Sequence, residues 1–203
     1  MRCLGFPSRI VRGSPVKNTK NKSRALFCSF LYLIILPLIF SSCVSTAKLN
    51  EQLYTAYELI GQNDLDGAFA VYTDVLEKQA NNVFALSGRA YVFEMKGDFG
   101  SALEDLSLGI VFDETNSGLY YNRGNVYFKK NDYENALRDF NSSIGLDGDN
   151  AAAYLNRANT YVCLGLYSQA IVDYEKYLGM NETSVQEGNI KAMIAALAME
   201  TVK

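Results

Sequence analysis

Histidine and tryptophan are absent from the 203 residues, and all three prolines (Pro7, Pro15, Pro37) precede residue 43. Without His there is no imidazole general base, no His-based triad and no His-containing zinc motif. Basic residues are scarce beyond the N-terminal stretch. Residues 1–42 hold seven (Arg2, Arg9, Arg12, Lys17, Lys20, Lys22, Arg24) and no acid, so residues 43–203 carry 12 basic against 22 acidic side chains, a net charge of −10. Phosphate binding needs clustered Lys and Arg, so this acidic body argues against nucleic acid as a partner. Of four cysteines (3, 28, 43, 163), only Cys163 lies in the body, which leaves it no internal disulfide partner, and no CxxC pair occurs. Gly97, Gly100 and Gly109 lack the Lys-Ser/Thr ending of a phosphate loop, and the acidic stretches 63–67 and 147–149 lack the ligand order of a calcium loop. No catalytic residue, metal site or cofactor is expected, and the chain reads as a non-enzyme.

The N-terminal stretch has the three parts of an export signal. A basic region ends at Arg24, an uncharged run extends from Ala25 to Phe40, and small residues come next at Ser41, Ser42 and Cys43. Basic residues stay on the cytoplasmic side, so the chain beyond the leader is expected to be translocated. Phe40-Ser41-Ser42-Cys43 resembles the lipobox of bacterial lipoproteins, although that family usually has Leu where Phe40 stands. The resemblance implies cleavage before Cys43, a lipid on Cys43, and a membrane anchor on the bacterial cell envelope with the rest of the chain outside the cytoplasm. An uncleaved anchor is the alternative: the uncharged run continues to Ala47, enough to cross roughly 30 Å of hydrocarbon. Residues 43–48 read as the lipidated Cys and a short tether. Its residues 44–48 reach at most about 18 Å when extended.

Beyond residue 48 the chain repeats. Ala68, Ala102, Ala136 and Ala170 are each 34 residues apart, which defines units 49–82, 83–116, 117–150 and 151–184. Position 8 of each unit is small (Ala56, Ala90, Gly124, Ala158). Positions 11, 17, 24 and 28 are large and apolar or aromatic, as in Tyr127, Tyr133, Phe140 and Ile144 of the third unit. Positions 4, 8 and 11 share one helix face and 20, 24 and 28 another, so each unit is predicted to be a helix pair. One pair cannot bury its apolar face alone, but stacked pairs can. Asn63-Asp64, Gly97-Asp98, Asn131-Asp132 and Gly165-Leu166 mark the turns inside the pairs.

These residues resemble the tetratricopeptide repeat family, over the four units, with one departure. The family's usual Pro at position 32 is replaced by Ala80, Glu114, Gly148 and Glu182. The expected fold is all-α, an α-solenoid of four stacked helix–turn–helix units closed by a capping helix within 185–203. Position 7 is Arg in units 2 to 4 (Arg89, Arg123, Arg157) and position 23 is Asp in the same units (Asp105, Asp139, Asp173), whereas unit 1 has Thr55 and Val71. Residues that appear and vanish together predict structural ion pairs, in which an Arg fork grips a carboxylate.

In this family the first helix of each pair lines a groove that binds a protein or peptide. The resemblance places Tyr54, Tyr57, Tyr91, Met95, Tyr121, Asn122, Asn125, Phe128, Asn156 and Asn159 there, with Ile60, Ser87, Glu94, Lys129 and Cys163 at neighbouring groove positions. Asn donates and accepts and so can read a peptide backbone, while Tyr and Phe supply contact area at little entropy cost. The carboxylate clamp that some family members use on chaperone tails is missing. Its slots hold Gly118, Asn122, Ala152 and Asn156 rather than Lys or Arg. The leading expectation is a membrane-anchored extracytoplasmic scaffold in envelope assembly, secretion or a related complex. The alternatives are a self-assembling homo-oligomer and an accessory subunit of a solute transporter.

Overall fold

The computed structural model describes residues 47–180 and 186–201. The expected leader, Cys43 and the first residues of the tether lie outside the described residues. Among the described residues there are nine helices and no strand: α1 (47–61), α2 (Leu65–Lys78), α3 (Val83–Met95), α4 (Phe99–Phe112), α5 (Ser117–Lys129), α6 (Tyr133–Leu146), α7 (Ala151–Cys163), α8 (Tyr167–Met180) and α9 (Glu187–Glu200). Consecutive helices pack on one another from α2 through α9, the arrangement of an α-solenoid. No described helix is long and apolar enough to cross a membrane.

The turn inside each pair is built from the residues singled out by the repeat. Asn63, Gly97, Asn131 and Gly165 adopt φ of 61°, 80°, 60° and 71°. These left-handed residues stop the first helix, in the conformation that Gly and Asn tolerate best. The next N–H folds back five residues: Asp64 N donates to Leu59 O, Asp98 N to Phe93 O, Asp132 N to Tyr127 O and Leu166 N to Tyr161 O, at 2.8 to 3.0 Å. The second helix then starts on an Asp cap. Asp64, Asp98 and Asp132 accept from the backbone N–H of Gly67, Ser101 and Asn135. Leu166 has no side-chain oxygen for that bond, so unit 4 begins its second helix without such a cap.

Small residues set the separation inside each pair. Ala56, Ala68, Ala90, Ala102, Ala136, Ala158 and Ala170 are fully buried. A Cβ added at Gly124 would lie 2.8 Å from the Phe140 ring, so the ring occupies the space that any side chain there would need. α9 closes the stack by laying Ile190 and Leu197 on Ala170 and Tyr174, while its other side presents Glu187 and Lys191 as an i,i+4 pair.

Three Arg–Asp pairs run through units 2 to 4. Arg89 grips Asp105 through Nε and Nη2 at 2.7 and 2.8 Å, Arg123 grips Asp139 at the same two distances, and Arg157 grips Asp173 at 2.7 Å through both. All three carboxylates are buried. Hydrogen bonding to its Asp raises each guanidinium above its ordinary pKa, against the opposing effect of burial. The third guanidinium nitrogen reaches the preceding unit. Arg123 Nη1 donates to Ser107 Oγ at 3.1 Å and Arg157 Nη1 to Asn141 Oδ1 at 2.7 Å. Arg123 and Arg157 thus each join their own helix pair to the one before it.

Candidate functional site

The first helices of successive units are neighbours: α3 touches α5, and α5 touches α7. Their outward faces make one continuous surface, and it changes character along its length.

At the α1–α3 end the surface is aromatic. Tyr54 is 64% and Tyr57 71% exposed, and Phe84, Tyr91 and Met95 are exposed beside them. Exposed aromatic side chains gathered on one face mark interaction surfaces. A cavity of about 410 Å³ opens here, lined by Tyr57, Ile60, Gly61, Tyr72, Ser87, Gly88, Tyr91 and Asn122. Its floor depends on Gly88. A Cβ there would lie 2.3 Å from Tyr72 Cζ, so only glycine lets the Tyr72 ring reach under α3 to the cavity. Burial raises the Tyr72 phenol above its ordinary pKa.

One repeat further on the surface is polar. A second cavity, of about 310 Å³, is lined by Glu94, Asn125, Phe128, Lys129, Asn156 and Asn159. The asparagines are partly engaged with one another and with neighbouring hydroxyls. Asn122 Nδ2 donates to Ser87 Oγ at 3.1 Å, and Asn156 Nδ2 donates to Asn125 Oδ1 at 2.7 Å and to Tyr121 OH at 3.2 Å. Asn159 Oδ1 accepts from Tyr174 OH at 2.6 Å. These bonds fix the amide planes. Asn125 Nδ2, Asn156 Oδ1 and Asn159 Nδ2 make no hydrogen bond among the described residues, which leaves two donors and one acceptor at the cavity. Lys129 Nζ pairs with Glu94 across α5 and α3, so the two groove charges cancel. The expected ladder is therefore partly a structural network, in which each amide spends half its capacity orienting its neighbour.

Phe128 packs edge-on against Tyr133, at 5.5 Å between ring centroids, and Tyr121 sits against Phe140 at 6.1 Å. These two rings belong partly to the packing beneath the groove, unlike Tyr54 and Tyr57. Cys163 is an exposed free thiol. Two contributors escaped the repeat reading. Tyr72 and Tyr174 occupy position 24 and are buried there as the repeat requires. Tyr72 nevertheless reaches the first cavity, and Tyr174 holds an asparagine of the second. Gly88 was the available signal for Tyr72. Among the described residues no group of Cys, Asp and Glu side chains is placed to hold a metal.

Family models described as TPR repeat and as tetratricopeptide repeat match residues 124–165 and 151–184. Among curated proteins none matches the chain. Several solved structures share the fold. MamA is 23% identical with a TM-score of 0.62, over 74% of this chain and 86% of that one. PilF of Pseudomonas aeruginosa is 17% identical with a TM-score of 0.68, over 75% and 68%. The first repeat domain of Spaghetti (RPAP3), bound to the HSP90 peptide SRMEEVD, is 21% identical with a TM-score of 0.55, over 60% and 94%. The 34-residue period, the helix pairs with their left-handed turns and these matches agree: residues 124–184 carry tetratricopeptide repeats, and the described helices share the fold of these solved structures.

Proposed function

We propose that this chain is a non-catalytic scaffold that holds a peptide segment of a partner protein across the faces of α1, α3, α5 and α7. The observation that carries the reading is the juxtaposition of two cavities of different chemistry one repeat apart. The aromatic cavity at Tyr57 and Tyr91 suits an apolar side chain. The polar cavity at Asn125, Asn156 and Asn159 offers oriented donors and an acceptor to a peptide amide. Adjacent helix axes lie about 8–10 Å apart, which roughly three residues of extended peptide would span. RPAP3 supplies a precedent for peptide binding on this fold. Its acidic ligand is a poor guide to the ligand here, because Lys129 is neutralised by Glu94 and the clamp slots at 118, 122, 152 and 156 carry no charge.

The proposal extends to location. The basic region, the apolar run and Cys43 support a lipid-anchored protein of the bacterial envelope whose repeats work outside the cytoplasm. Two experiments test these parts. A photo-reactive phenylalanine analogue at Tyr57 in the full chain should cross-link a partner in cells, and Tyr91→Ala/Asn125→Ala should abolish the adduct. If every adduct survived that double substitution, the groove assignment would fail. Mass spectrometry of the mature N-terminus should find an acylated Cys43, and an intact Met1 or an unmodified Cys43 would remove the anchor. Self-assembly is the second reading, favoured by Met193 and Met199 standing exposed on the terminal helix. Light scattering that shows a concentration-independent monomer would eliminate it.

A further inference from the structure

The outer side of the array is formed by the second helix of each pair, and unit 2 is unlike the others there. Positions 26 and 29 are Asp74 and Glu77 in unit 1, Ser142 and Gly145 in unit 3, and Lys176 and Gly179 in unit 4. In unit 2 they are Leu108 and Val111, with Phe112 next in the chain. These three side chains are 42%, 76% and 46% exposed, and they share one helix face by their i, i+3, i+4 spacing. Their exposure leaves an apolar strip open to water where positions 26 and 29 of the other units are polar or glycine, although Leu146 at the position of Phe112 is exposed as well.

A cavity of about 270 Å³ opens beside Leu108, lined also by Thr73, Leu76, Glu77, Ala80, Leu86 and Arg89. Its polar groups break the pattern of the Arg ladder. Arg123 and Arg157 each use Nη1 on the side chain sixteen residues earlier. For Arg89 that side chain is Thr73, and the bond is missing. Arg89 uses only Nε and Nη2, both on Asp105. Thr73 Oγ1 is buried without any hydrogen-bond partner. A buried hydroxyl without a partner is costly, and here an unused guanidinium N–H stands at the same cavity.

We propose that this outer face of unit 2 is a second docking site, separate from the groove, for a partner segment that presents an apolar side chain beside an uncharged carbonyl oxygen. The apolar side chain covers Leu108, Val111 and Phe112. The carbonyl accepts from Arg89 Nη1. Charge selects a neutral acceptor. Asp105 already balances Arg89, and Glu77 adds a negative charge at the cavity, so a carboxylate or phosphate would meet net repulsion.

The probes are N-acetyl-leucine N-methylamide and N-acetyl-leucine as its carboxylate, observed by saturation-transfer NMR on the full chain. The amide should bind, and the carboxylate should bind at least tenfold more weakly. Leu108→Glu and, independently, Val111→Glu should each weaken the amide at least tenfold. Val172→Glu, an exposed apolar position on α8, should leave it unchanged. The proposal is overturned if the amide gives no signal at millimolar concentration, which would mean that only water fills the cavity. It is also overturned if the carboxylate binds equally well, or if the amide signal survives both glutamate substitutions.

Discussion

Removing one member of a buried ion pair tests whether the Arg–Asp ladder supports the fold, and the third unit offers the cleanest case. Asp139 is 5% exposed and accepts two bonds from Arg123, whose side chain is 21% exposed. Asp139→Val strands a guanidinium with only Ser107 as partner. Breaking a fully buried pair costs about 3–5 kcal/mol, and the partial exposure of Arg123 places this case near the lower end, at about 3 kcal/mol. In a chain of this size that loss lowers Tm by roughly 6–12 °C. Unit 1 carries the apolar alternative natively, with Thr55 and Val71 at the same two positions. Arg123→Thr/Asp139→Val therefore copies a solution that the chain already uses, and should lose only about 1 kcal/mol, the bond to Ser107. The coupling between the two sites is then at least about 2 kcal/mol. Urea titration monitored by far-UV circular dichroism measures all four proteins, with m-values expected to match. A loss below about 1 kcal/mol for Asp139→Val, or a double variant as unstable as the sum of the singles, would refute the ladder as a support of the fold. Cross-linking from Tyr57, normalised to folded protein, should be unchanged in Asp139→Val.

Gly124→Ala should cost about 1–3 kcal/mol, because the new Cβ meets the fully buried Phe140 ring. Adding Phe140→Leu should bring non-additive relief in thermal unfolding, and strict additivity would contradict the contact. Asn131 holds φ at 60°, so Asn131→Gly should be neutral to slightly stabilising and Asn131→Ala should lose about 1 kcal/mol in the same assay. Asp98 accepts from the Ser101 hydroxyl and backbone N–H, which lowers its carboxyl below the ordinary value of 3.8. A depressed folded pKa means its stabilising effect is present above the unfolded value and is lost as pH falls through the folded one. NMR titration should place Asp98 below the ordinary value, and Ser101→Ala should move it upward.

The period of 34 was legible because alanine and glycine recur wherever two helices must touch, a demand that sequence spacing expresses directly. The Arg–Asp pairing was legible through the contrast with Thr55 and Val71, since a buried charge without its partner would be too costly to keep. The bonds among Asn122, Asn125 and Asn156 and their neighbours were not legible. Position in the repeat gives the direction of a side chain but not whether its neighbour one unit away lies within 3 Å. The same limit hid the third Arg contact, which reaches back sixteen residues to Ser107 and Asn141. The second role of Tyr72, at the first cavity, stayed hidden because the room for its ring comes from Gly88 in the next unit. The outer face of α4 passed unremarked because the repeat places no demand on positions 26 and 29, so only exposure distinguishes Leu108 and Val111 from ordinary core residues.

The silent contact between Arg89 and Thr73 has a mechanical consequence. The junctions of unit 2 with unit 3 and of unit 3 with unit 4 are fastened by directional bonds that admit one register. The junction of unit 1 with unit 2 is joined by an apolar cluster around Leu49, Tyr72, Val75 and Leu86 and by the surface ion pair of Lys96 with Asp66, without a guanidinium bridge. The first helix pair is thus held to the second by packing and an exposed ion pair, and the aromatic cavity between Tyr57 and Tyr91 lies across that junction. The walls of that cavity meet through packing and a surface ion pair, whereas those of the asparagine cavity behind it are tied by amide and hydroxyl bonds.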